Sequence, residues 1–153
     1  MKFNIELDSA KVKKSLANLQ KALPKEIDKS LLITAQKGVS MILDRTAKGK
    51  GYEGKFRNYT PSYARAKAQG WNRAGSGRRS FGGDPSGVVN LNVRGEMLGS
   101  IQTRIYRRNI AEIYFSRKEE AKKAAFNNER RRWFGFNVAE QRELRNFFIR
   151  RFK

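Results

Sequence analysis

Apolar residues recur along the chain in two rhythms. Phe3, Ile5 and Leu7 alternate with Asn4 and Glu6, which predicts a short strand with one buried face. From Asp8 the spacing changes. Val12, Leu16, Leu19 and Leu23 fall three or four residues apart, so a helix capped by Asp8 or Ser9 is predicted through about Leu23. Pro24 suits the first turn of a helix, and Ile27, Leu31, Ala35, Val39 and Ile42 form a second stripe, which predicts a second helix ending near Arg45. Both stripes have the width that packs into a core.

The rhythm stops between about residues 46 and 87. Thr60 and Pro61 make a helix start and Gly70 a stop, so a short helix, SYARAKAQ, is predicted inside a long excursion, followed by the loop AGSGRRSFGGDPSG. VVNLNV at 88–93 alternates as a strand does. Arg94-Gly95 ends it, with Gly95 turning the chain from strand to helix, and Met97, Leu98 and Ile101 predict a helical turn that plugs the core, beside which the Ser100 hydroxyl bonds locally. IQTRIY and IAEIYF, separated by Arg107-Arg108-Asn109, predict a β-hairpin. Ser116 with Glu119, and Asn137 with Glu140, have capping-box spacing and predict two closing helices, the last with Leu144, Phe147, Phe148 and Phe152 on its apolar side. The predicted fold is α+β: N-terminal helices, a small mostly antiparallel sheet with a hairpin, and a C-terminal amphipathic helix, in a single domain over residues 1–153.

Composition narrows the chemistry. With 34 Lys and Arg against 14 Asp and Glu the formal net charge is +20, more than solubility requires, which points to an anionic partner. There is no cysteine and no histidine, so thiol or imidazole catalysis and the common zinc sites have no side chains to run on. Carboxylate–lysine pairs such as Asp28 with Lys25 and Glu119 with Lys123 read as surface ion pairs at helical spacing, and no enzyme activity or cofactor is expected. No apolar stretch approaches the roughly 20 residues that span a bilayer, and a soluble protein made in a cytoplasm is expected.

Residues 49–56, GKGYEGKF, do carry the G-x-x-x-x-G-K spacing of a phosphate-binding loop. Such a loop needs Ser or Thr after its lysine to reach Mg²⁺, and a strand before it; here Phe56 follows Lys55 and a helical stripe precedes. A basic loop is the expected alternative. From Arg45 to Arg79 the only acid is Glu53, set among Lys48, Lys50, Lys55, Arg57, Arg65, Lys67, Arg73, Arg78 and Arg79, with Phe56, Tyr59, Tyr63 and Trp71 interleaved. That mixture suits single-stranded nucleic acid, equally an acidic protein surface, or plain solvation. Arg130, Arg131 and Arg132, directly before Trp133, add a second basic cluster.

The order of YTPSYARAKAQGW, a basic spacer, VNLNVRGEMLGSIQTR, a hairpin ending in IYFS, and RRWFGFN before a last amphipathic helix resembles the phage tail-completion or neck proteins, also known as virion morphogenesis or tail-component proteins. Pro61, Tyr63 and Lys67 answer that family's first motif. Leu91, Gly95, Leu98, Ser100 and Ile101 answer its second, with Arg94 where threonine is commoner. Arg132, Phe134 and Gly135 answer its third, with Trp133 in place of proline. Between hairpin and third motif the chain departs from the pattern, offering Ala124-Ala125-Phe126 and no histidine. The similarity covers roughly residues 28–152.

The resemblance implies a structural virion protein at the head–tail junction, assembling as a ring, a hexamer or alternatively a dodecamer, between portal-connector or head-closure proteins and tail-tube or terminator proteins. Its basic loop, with Trp71 among the cations named above, and the late cluster Arg130 to Trp133 would meet those partners or packaged DNA, with no membrane involved. The alternative is a free nucleic-acid-binding protein that uses the same basic, aromatic-interleaved loop.

Overall fold

A computed structural model describes residues 9–69, 86–92 and 95–151. The strand expected at 3–7, the predicted loop AGSGRRSFGGDPSG up to residue 85, and Phe152 lie outside them. The fold is α+β, and the expected small sheet is two separate two-stranded antiparallel hairpins.

One helix, α1 (Ser9–Ala47), replaces the two expected, and Pro24 lies inside it. An interior proline removes a backbone hydrogen bond and crowds the preceding turn. Here Lys21, Ala22 and Leu23 precede it and Lys25 and Glu26 follow, all helix formers, and no glycine or asparagine beside it offers a competing turn. Before Asp28 the described side chains of α1 are exposed, apart from half-buried Pro24 and Ile27. From Ser30 onward the helix is held by its surroundings, lying against the hairpin β3 (Ile101–Arg107) and β4 (Ile110–Phe115) and against α5 (Val138–Arg150). Gly38 is buried under Phe136, where a Cβ would come within 2.8 Å of the ring.

The predicted hairpin is present. Ile101 pairs with Phe115, Thr103 with Ile113 and Ile105 with Ala111, and a register shift follows before Arg107 meets Ile110. Asn109 turns with φ +64°, and its amide donates to Asp28 Oδ1 on α1 at 2.8 Å, so the carboxylate expected to pair with Lys25 instead holds the hairpin tip. The segment at 88–92 is not the strand expected. Leu91 adopts φ +54° and Asn92 donates its amide to Asn90 Oδ1, a local turn that cannot extend a ladder. Gly95 has φ +78° and opens the single turn α3 (Glu96–Gly99), as expected. Ser100 Oγ donates back to the Met97 carbonyl at 2.8 Å.

The helix α4 (Lys118–Arg131) starts without the Ser116 cap: Arg117 is its N-cap, and Ser116 Oγ turns to the Ser100 carbonyl. Glu119 pairs with Lys122, and Lys123 with Glu120. At its end Arg132 enters the left-handed region (φ +46°), and Asn128 Oδ1 accepts from the Phe134 amide. That sharp turn drives Trp133 into the interior, where it is fully buried, donates Nε1–H to the Ala124 carbonyl at 3.2 Å and packs on Phe115 and Phe134. Ile42, Phe56, Val89, Met97, Ile101 and Ala124 complete the core. The capping box expected at Asn137 and Glu140 is formed and starts α5.

Arg45, in the last turn of α1, closes this arrangement. One guanidinium nitrogen binds the Glu140 carboxylate and the other donates to the carbonyls of Trp133 (2.8 Å) and Gly135 (2.9 Å). The two side chains are 10% and 15% exposed, so removing one partner strands the other charge in a poorly solvated site. Arg45→Met is expected to lower unfolding free energy by about 3 kcal/mol, and Arg45→Met/Glu140→Leu by clearly less, as measured by urea denaturation.

Candidate functional site

GKGYEGKF folds as a small hairpin, β1 (Lys50–Gly51) paired with β2 (Gly54–Lys55), between α1 and α2 (Pro61–Gln69). It has neither the strand before nor the helix start after that a phosphate loop requires. Nor does it float: the Tyr52 amide donates to the Arg132 carbonyl at 3.0 Å, Phe56 is buried and its amide donates to Gly49. A Cβ on Gly51 would lie 2.5 Å from the Arg132 oxygen, so only glycine permits this approach. Much of the expected loop excursion is therefore fitted structure. Lys50 and Lys55 sit directly opposite each other and exposed, with Lys48 and Arg65 also exposed.

Next to this hairpin lies a cleft of about 790 Å³. The stretch from Arg57 to Thr60 and Tyr63, at the start of α2, forms one wall. Pro61 stands at the first position of that helix, as its sequence predicts. Leu91, Gly95, Met97 and Leu98 form the floor, and Glu96 stands beside them. The opposite wall is one face of α4: Glu120, Lys123, Asn127, Arg130 and Arg131.

Within the cleft Tyr59 and Tyr63 rings lie 4.7 Å apart, and the Arg131 guanidinium stands 5.4 Å from the Tyr59 ring. The Tyr63 hydroxyl has its pKa raised, first by burial and then by Tyr59, against the lowering effect of Lys67 and Arg131, which keeps it a neutral hydrogen-bonding group at neutral pH. Glu120 is buried and held by Lys123 Nζ at 2.7 Å. Arg131 Nε is buried with no hydrogen-bond partner. Among the described residues Arg57, Arg130 and Arg131 meet no carboxylate, while Arg132, facing away, reaches Glu53 at 4.0 Å.

The contact residues expected from sequence divide accordingly. Arg57, Arg130 and Arg131 converge on the cleft, together with Tyr63, Gly95 and Leu98. Leu98 is half-buried on its floor, whereas Met97 and Ile101 are the buried members of that motif. Two expected contacts are corrected. Trp133 is core, because the left-handed turn at Arg132 points it inward; Lys67 is 7% exposed, its Nζ donating to the Val88 carbonyl and to Asn90 Oδ1. Trp71, Arg73, Arg78 and Arg79 lie outside the described residues. Glu120 and Asn127 were not singled out, and Lys123 only as an ion-pair partner of Glu119, although their spacing with Arg130 and Arg131 places all five on one helical face.

Among the described residues there is no cluster of three or more His, Cys, Asp or Glu able to hold a metal ion, and no helix long and apolar enough to cross a membrane. No family model, curated protein or solved structure matches the chain.

Gly51→Ala is expected to destabilise by roughly 1–3 kcal/mol by pushing the small hairpin off Arg132, and Trp133→Ala by roughly 3–5 kcal/mol. Arg57→Glu and Arg130→Glu, both exposed, are expected to leave the thermal midpoint nearly unchanged. Thermal denaturation of the four variants separates the frame from the rim.

Proposed function

We propose that this chain is a structural, non-enzymatic virion protein of the phage head–tail junction, a tail-completion or neck component that assembles as a ring of six or twelve copies. The observation that carries the proposal is α1. Its described residues before Asp28 reach beyond the hairpin tip as exposed helix, Leu23 at 54% exposure among them. Some 20 residues of helix extend roughly 30 Å there with their described side chains mostly exposed, whereas most helical stability in proteins comes from packing one face against a neighbour. A neighbouring subunit would supply those contacts. The order of the motifs around Pro61, Gly95 and Gly135 supports the same reading, with portal-connector or head-closure proteins on one side of the ring and tail-tube or terminator proteins on the other.

The second reading, a free nucleic-acid binder, is favoured by the exposed pair Lys50 and Lys55 with Lys48 and Arg65 nearby. Salt separates the two: a phosphate binder keeps useful affinity near physiological salt and loses it linearly in log concentration, with a slope set by several phosphate contacts.

Quantitative mass spectrometry of density-purified particles, with the portal protein as internal standard, is expected to count about six or twelve copies per particle. Absence from particles overturns the assignment. Leu23→Glu is expected to leave the free protein as stable as the parent, within about 0.5 kcal/mol, and to abolish incorporation.

A further inference from the structure

We propose that the cleft between the start of α2 and α4 receives an extended acidic peptide segment of a partner protein, anchored by one apolar side chain. The inference goes beyond the assembly reading and rests on the cleft alone. Its volume of about 790 Å³ lies within the roughly 300–1,000 Å³ of sites that enclose a small ligand or a few side chains. The floor, Leu91, Met97 and Leu98, is apolar, and the paired rings of Tyr59 and Tyr63 stand over it. That is the surface an aliphatic or aromatic side chain would cover, and Tyr and Arg are among the residue types enriched where binding energy concentrates at protein interfaces.

The rim fixes the charge of the occupant. Arg57, Arg130 and Arg131 line the cleft, and among the described residues none of the three is within ion-pair distance of a carboxylate. A guanidinium carries five N–H donors, so arginines that meet no carboxylate have donor capacity left for an incoming one. Guanidinium groups bind carboxylates as planar, two-pronged donors, which adds direction to the attraction.

The walls decide between peptide and nucleic acid. Glu96 and Glu120 stand in the same cleft, Glu120 buried and bound to Lys123. A phosphate backbone brings only acceptors and offers those carboxylates no donor. A peptide brings backbone N–H groups that those carboxylates accept, while its acidic side chains reach the arginines. The basic surface of Lys48, Lys50 and Lys55 is exposed hairpin rather than a cleft lined by apolar side chains, so the two differ in kind.

The test uses the full-length chain and a randomised dodecapeptide library displayed on yeast, selected at physiological salt and counter-selected on the Arg57→Glu/Arg130→Glu variant, whose fold is checked by thermal denaturation. Enriched sequences are expected to share at least two acidic residues flanking a Leu, Ile or Phe. In fluorescence anisotropy the synthesised peptide is expected to lose roughly tenfold in affinity on Arg57→Glu/Arg130→Glu, and as much when its apolar anchor becomes Ser. Four outcomes overturn the proposal: no enrichment, peptides indifferent to the two arginines, an anchorless peptide that binds equally well, or displacement of the peptide by a single-stranded oligonucleotide of equal charge that itself depends on Arg57 and Arg130. Self-association of the free chain that Arg57→Glu/Arg130→Glu abolishes, in sedimentation velocity, overturns it also and assigns the cleft to a second copy.

Discussion

The guanidinium of Arg45 ties the end of α1 to the α4–α5 link and to the start of α5 at one point. The link from α4 to α5 is non-helical and leaves the Trp133 and Gly135 carbonyls without backbone partners in a half-buried place; Arg45 donates to both. Glu140 both neutralises that charge and accepts the Asn137 amide that caps α5, so one carboxylate joins the end of α1 to the start of α5. Tyr52, from the small hairpin, lies over the same guanidinium at 5.9 Å. A buried ion pair contributes little net stability against a well-packed apolar substitute, but it does fix geometry. Here it fixes where Trp133 stands, and with Trp133 the end of α4.

The features legible in the sequence are those whose cause is local. The β3–β4 hairpin announced itself by two β-rich runs around an Arg-Arg-Asn turn, α2 by Thr60-Pro61, α5 by Asn137 and Glu140, and the turn at Gly95 by a residue free to take positive φ. What escaped depends on distant partners. Pro24 looked like a boundary, yet helix formers on both sides outweigh it. Val88 to Asn92 has strand composition but pairs with no strand among the described residues; Lys67, from α2, donates to the Val88 carbonyl and Asn90 Oδ1 instead. Ser116 had cap spacing, but the Ser100 carbonyl claimed its hydroxyl.

The candidate site was half legible for the same reason. Basic residues are countable in a sequence, but their use is not. Arg45 and Lys67 lie in the same basic run as Lys48 and Arg57, and only packing divides the pairs into internal donors and surface charge. Arg130 to Trp133 reads as a continuous contact patch, and is split by one backbone angle. With Arg132 left-handed, the indole passes inward while Arg130 and Arg131 stay at the cleft.

That split couples frame and cleft. Asn128 holds the turn from inside α4 by accepting the Phe134 amide, and Arg45 holds it from α1 through the Trp133 carbonyl. The Arg132 carbonyl in turn receives the Tyr52 amide and keeps the small hairpin against α4, from which Phe56 and Arg57 lead straight into the opposite wall. Both walls of the cleft are thus set from a single stretch of six residues, 128–133. An occupant that draws Arg57 and Arg131 together pulls on elements already fixed to each other, so little ordering entropy opposes its binding. Arg57 and Arg131 are thus presented from a fixed frame, whereas the described side chains of α1 before Asp28 are mostly exposed and take little order from the rest of the chain.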